Sequence, residues 1–293
     1  MDQAYQELHA IIDSIDDQVS NNSTVFQALL SIVRYSQFLG YELDGTQKEI
    51  TDSEKKEFAK GMIEEDVIDA YHGKYTAELF LSLMQLERES NTPSPENLRL
   101  LVIALTLHDI GEAEVGDILY GTKTSEDEEL ELTKRSKIIN SIFGNYKIIT
   151  SEEQIIISQI IEGKHSDQTL NELFNLTERV GYLLSGLKAW ESYSKSDSEL
   201  EAIGVKKTNN VIVEQAYLRS AVNVMANQIS KLTDYSQKYR SIQVILSWKA
   251  VQIKEIIEGG NSIKSATNYD KTSILESKLE KAQKAIANFT QSK

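Results

Sequence analysis

The chain has 293 residues, enough for one large domain or two modest ones, and its 31 Lys and Arg against 45 Asp and Glu leave a net charge of −14. That acidity argues against nucleic-acid polymers, whose binding rewards positive charge that releases counterions, and against anionic membrane surfaces. No cysteine is present, so disulfides, thiolate catalysis and cysteine-ligated zinc are excluded, and any metal centre must be built from His, Asp and Glu.

Only two prolines occur, both in NTPSPEN, with 14 glycines and many Leu, Ile, Ala, Glu, Lys and Gln, so the expectation is an all-α protein without strands. The N-terminus MDQAYQELHAIID has no charged-then-apolar leader pattern. No apolar run approaches the roughly 18–20 residues of a membrane span. The expectation is a soluble cytoplasmic protein with no membrane partner.

Helices are expected at 3–17 and at about 22–40, followed by a connection over 41–51 around Asp44 and Gly45. The next runs from about Asp66 to Glu89, with Ile68, Tyr75, Leu79, Leu83 and Leu86 recurring on one face. His72 lies on that face. A new helix begins where Ser94 offers an N-cap, Pro95 suits the first helical position and Glu96 the first turn. Its stripe, Leu98, Leu101, Val102 and Leu105, leads to His108 and Asp109, and Gly111 is a stop. The acidic SEDEELEL opens a helix through about Phe143, and further helices are expected at 151–163, 170–195, 207–237 and 239–258. Near the end, Ser273 and Glu276 are spaced as a capping box, with Leu275, Leu279, Ala282, Ile286 and Phe289 as a short heptad-like seam. The chain divides into N-terminal helices over 1–59, a core over 60–200 and a C-terminal helical extension over 201–293, whose helices can cover the core or join a second copy in a homo-oligomer.

The stretch ALTLHDIGEAEVGDI poses the chemical question, because an apolar helix ends abruptly in an imidazole and carboxylates. A lone histidine on an apolar stripe is usually a core residue bonded to a carbonyl. Here His108 is followed by Asp109, then Glu112 and Asp117, and His72 sits on the preceding helix face. An ion that accepts imidazole and carboxylate ligands explains such a gathering at a buried helix end.

This pattern resembles the HD superfamily of metal-dependent phosphohydrolases, most closely the 5′-deoxynucleotidase branch. There a helix ends in His-Asp, a Glu follows three residues after the Asp, and the Asp of a Gly-Asp-Ile turn follows eight after. Glu112 and Asp117 stand at those offsets. The resemblance covers about residues 60–200. It implies an HD-type helical bundle that hydrolyses a nucleotide or similar small phosphorylated substrate with a divalent cation (Mn, Co, Fe, Ni, Zn or Mg). By it, His72, His108 and Asp109 hold the ion, while Glu112 and Asp117 are the catalytic acidic pair.

The family pattern also has an Asp on a later helix, and here that position falls on Ser185, or on Gly186 if the register shifts by one. Three alternatives follow. The ion is held by three side chains; or Glu162, His165 or Asp234 substitutes; or the domain binds a nucleotide or a protein partner without turnover. For a substrate phosphate the candidate cations are Lys74 and Arg34, the latter resembling the family's Arg-aromatic pair, with Lys123 and Arg135 after the Gly-Asp-Ile turn.

Overall fold

The computed structural model describes residues 3–40, 46–118, 124–144, 149–194, 197–202, 211–263, 280–287 and 289. Among these residues the fold is all-α. The helices are α1 (Gln3–Asn21), α2 (Ser23–Ser31), α3 (Asp52–Lys60), α4 (Glu64–Val67), α5 (Asp69–Leu86), α6 (Pro95–Leu107), α7 (Glu112–Val115), α8 (Ser125–Phe143), α9 (Ser151–Ile161), α10 (Gln168–Ser194), α11 (Asp197–Ala202), α12 (Val211–Ser236) and α13 (Arg240–Ile263). No described helix is long and apolar enough to cross a membrane.

Two expected helices are broken, for one reason. The segment expected as helix over 22–40 stops at Ser31, and that expected from Asp66 is interrupted at Ile68. Ile32 and Val33 are β-branched and favour extended backbone. Val33 forms an isolated antiparallel bridge with Ile68, and Arg34 N–H donates to the Val67 carbonyl (2.8 Å). Helix α3 falls in a stretch with no expected element, although its Thr51–Glu54 capping box was readable as a start signal. Ser273, Leu275, Glu276 and Leu279 lie outside the described residues, whereas 280–287 are helical.

The chain forms two compact units, neither contiguous in sequence. The first comprises residues 1–34, 65–85 and 89–178; the second comprises 35–64, 86–88 and 179–293. The partition at 59/60 and 200/201 does not coincide with these units. The N-terminal residues share a unit with the His-Asp helix, and the later boundary falls within α10, where a continuous helix leaves no mark in composition.

In the first unit, α6 is the central helix. Leu98, Leu100, Leu101, Val102, Ile103, Ala104, Leu105 and Leu107 are all buried, the pattern of a helix covered on every side. It packs against α1 and α9. Helix α1 meets the unit with Leu8, Ile12, Ile15 and Val19, spaced four, three and four. On α5 the buried face is wider than the expected stripe: Thr76, Ala77, Phe80, Leu81 and Met84 are also buried.

In the second unit, α12 packs on α13, on α3 and on a 3-10 turn at Ser36–Gly40. Phe58 stacks on Tyr217 at 5.2 Å, and the Tyr217 hydroxyl donates to the Glu57 carbonyl (2.9 Å). Glu87 closes the start of α13 by accepting from the backbone of Arg240 (3.1 Å) and Ser241 (3.0 Å) and from the Ser241 hydroxyl (2.8 Å). Burial opposes ionisation of Glu87, but these donors and the Arg88 N–H outweigh it and hold its carboxyl below the usual value. Removing this cap with Glu87→Ala is expected to cost about 1–2 kcal/mol at neutral pH. A depressed folded pKa stabilises above the usual value of 4.5 and loses its effect as pH falls through the folded value. The gap between parent and variant in urea unfolding is therefore expected to close in acid.

Candidate metal centre

Helices α5 and α6 approach closely because Gly73 has no side chain. A Cβ built there would press into the Thr106 carbonyl of α6. That approach sets His72, in the first turn of α5, against His108, the C-cap of α6. Gly73→Ala is expected to push the helices apart, cost about 1–3 kcal/mol by overpacking and separate the two imidazoles. A thermal melt and a metal titration of the same sample read both effects.

Beyond His108 the chain turns through Asp109 and Ile110, and α7 starts at Glu112, whose N–H donates to the Asp109 carbonyl (2.9 Å). A Cβ at Gly111 would meet the Glu131 carbonyl, so glycine lets α8 close over this turn.

His72 Nε2 lies 3.1 Å from His108 Nε2, His108 Nε2 lies 3.0 Å from Asp109 Oδ2, and His72 Nε2 lies 3.4 Å from the same oxygen. Donors about 2.0–2.1 Å from one ion stand about 3.0 Å apart across a right angle and about 3.4 Å apart across a tetrahedral angle. The triangle has the dimensions of a coordination sphere. The far side of each ring is also engaged. His108 Nδ1 lies 2.7 Å from the Leu105 carbonyl, and His72 Nδ1 lies 2.9 Å from Asp66 Oδ1, on a residue with no solvent exposure. With these partners behind them, both rings present Nε2 towards Asp109. These three donors lie close enough together to hold one metal ion.

A second group shares Asp109. Asp69, Asp109 and Glu112 each offer an oxygen within 4.8 Å of the others. Arg34, delivered beside α5 by the Val33–Ile68 bridge, places Nη1 on Asp109 Oδ2 and 3.7 Å from Asp69 Oδ1. The residue after it, Tyr35, has φ of 63°, a left-handed conformation that costs a non-glycine residue of order 1 kcal/mol.

The electrostatics follow from many carboxylates facing few cations. Burial resists ionisation of Asp109, yet His108 and Arg34 hold its carboxyl well below the usual range. Burial likewise opposes charge on His108, but Asp109 and Glu178 hold its pKa well above the usual value. Burial, only partly offset by Arg34, pushes Asp69 up to about 6. Burial and then the charges of Asp109 and Asp69 push Glu112 up to about 12.

Of the residues singled out in the sequence, His72, His108, Asp109, Glu112 and Arg34 come together. Asp117 follows Gly116 (φ 79°), is half-buried, and belongs to neither group. Lys74 is turned to α1, with Nζ 2.7 Å from Asp13 and 3.4 Å from Asp16. Ser185 is fully buried in the second unit, outside both donor groups. His165 accepts from the Asp167 N–H (3.1 Å) in the turn before α10. Lys123 lies outside the described residues.

Three carboxylates were missed. Glu178 on α10 lies 3.3 Å from His108 Nε2, and the sequence signal for it was its place seven residues before Ser185 on the same helix. Burial opposes its charge, but His108 holds its carboxyl below the usual value. Asp66 and Asp69 precede His72 by six and three residues, in a stretch read only for its apolar spacing.

His108 and Asp109 also line a cleft of about 620 Å³, with apolar wall from Leu132, Ile161 and Phe174. Arg135, buried on α8, lines it too and donates from Nη2 to Glu131 (3.0 Å). No protein-family model, no curated protein and no solved structure matches the chain.

Proposed function

We propose that this chain is an HD-type, divalent-metal-dependent phosphohydrolase acting on a small phosphomonoester, with a nucleoside monophosphate as the leading substrate class. One observation carries the reading: His72, His108 and Asp109 present three donor atoms 3.0–3.4 Å apart with both rings fixed from behind. The buried oxygens support it. Both carboxylate oxygens of Asp69, Oε2 of Glu112 and Oε1 of Glu178 accept no well-aligned hydrogen bond. Such groups are costly to bury unless a cation offsets them.

In this reading His72, His108 and Asp109 hold the ion and Glu178 is the fourth ligand. A bound divalent ion supplies a Lewis acid for the phosphoryl oxygen and lowers the pKa of water. Glu112 takes or returns a proton beside Asp109, and Arg34 brings to the same place the guanidinium a phosphate needs. The cleft suits a small organic body, since ligand pockets span roughly 300–1,000 Å³. Ser185, the ground for a binding domain without turnover, carries less weight once Glu178 offers the carboxylate.

The test is release of inorganic phosphate from nucleoside 5′-monophosphates and simple phosphomonoesters by protein loaded in turn with Mn, Co, Ni, Zn and Mg. Release that requires the ion and stops with chelator is expected. No release with any ion from any phosphomonoester overturns the reading.

A further inference from the structure

The carboxylates on the Arg34 side of Asp109 are more than accessories to the first three donors. We propose that Asp69, Asp109 and Glu112 form a second cation position, held in this structure by the Arg34 guanidinium and open to a hard divalent cation when Arg34 leaves it. The proposal deepens the reading above and rests on it for what a second ion would do there, but its test does not depend on activity.

Three observations carry it. First, the oxygens of these three residues lie within 4.8 Å of one another, close enough to share one ion. Second, Asp69 and Glu112 are only 5% and 6% exposed, and both oxygens of Asp69 and Oε2 of Glu112 accept no well-aligned hydrogen bond. Third, a cation already sits there: Arg34 Nη1 is on Asp109 Oδ2 and 3.7 Å from Asp69 Oδ1. One guanidinium faces three carboxyl groups and stands 3.7 Å from Asp69, whereas a divalent ion offers more charge in a smaller volume.

The donor chemistry names the ion class. Oxygen donors alone suit Mg, Mn or Ca, whereas the imidazole-rich group suits Zn, Co, Ni or Fe. A carboxylate can give one oxygen to each of two ions, and paired ions in phosphate-cleaving sites stand about 3.5–4 Å apart. Asp109 belongs to both groups and is the natural bridge. A guanidinium and a divalent ion on the same carboxylate repel each other, so Arg34 and the second ion exclude one another. Arg34 is thereby a built-in competitor that sets how many ions the site holds.

The experiment counts bound Mn²⁺ by calorimetric titration and elemental analysis in the parent, in Arg34→Gln and in Arg34→Gln with Asp69→Asn. Arg34→Gln is expected to bind one ion more than the parent, and Asp69→Asn to remove that additional ion. Electron paramagnetic resonance of the Arg34→Gln sample is expected to show spin coupling between two Mn²⁺. If Arg34→Gln fails to fold without metal, Mn²⁺ is expected to restore its helical circular dichroism, and not to do so when Asp69 is Asn. An equal number of ions in parent and Arg34→Gln overturns the proposal. So does an additional ion that survives Asp69→Asn. The parent's own count tests the function proposed above, whereas the difference between parent and variant tests the second position.

Discussion

Replacing Asp109 with asparagine is expected to lower metal affinity by more than about 100-fold while leaving the helices formed. Loss of a group that only orients a ligand costs about 10–100-fold, and Asp109 is itself a donor in both groups. Two stability effects accompany the loss and separate it from general damage. In the parent, an ion that binds only the folded state stabilises it by about 2.7 kcal/mol at a free concentration 100 times its Kd. The variant is expected to show no such rise in melting temperature on adding Mn²⁺ or Co²⁺. Without metal, the variant is expected to melt below the parent at neutral pH. Asp109 is held well below the usual carboxylate range, so its charge is net stabilising despite burial and despite Asp69 and Glu112 nearby. That advantage is present above the usual value of 3.8 and fades as pH falls through the folded value. Elemental analysis and melts with and without metal read the outcome. Unchanged metal content in Asp109→Asn would remove Asp109 from the centre.

The parts of this site that were legible in the sequence are those where one helix face carries the message. Apolar spacing placed His72 on the buried face of α5, and the abrupt end of an apolar run marked His108 and Asp109. The close approach of α5 and α6 was not legible, because Gly73 reads as a weak helical position until the Thr106 carbonyl is seen against it. Arg34 is legible as a candidate cation, but its contact with Asp109 is not: it stands 38 residues before His72, and the Val33–Ile68 bridge brings it back. That bridge also broke two expected helices, since a pairing of extended residues outweighs the propensity of isolated segments. Asp66 and Asp69 stand among apolar residues where a carboxylate would be read as a solvated helix start, and both are buried.

Glu178 and Ser185 decide which register of α10 serves the centre. Glu178→Gln is expected to weaken metal binding at least about tenfold, because it takes away the carboxylate 3.3 Å from His108 Nε2. It should also bring the His108 pKa back towards its usual value, since Glu178 is one of the two carboxylates that raise it. Adding Ser185→Asp to that variant is the sharper step. Were the family-like register correct, a carboxylate at 185 would restore the ion. The structure predicts the opposite, because Ser185 is fully buried and its Oγ has no hydrogen-bond partner, so nothing there welcomes a charge. An unpaired buried carboxylate costs several kcal/mol. The double variant is therefore expected to bind no more metal than Glu178→Gln and to unfold at clearly lower urea concentration. Restored metal content with unchanged stability would return the fourth position to Ser185. Loss of metal in Glu178→Gln that Glu178→Asp partly recovers would fix the requirement as a carboxylate at 178.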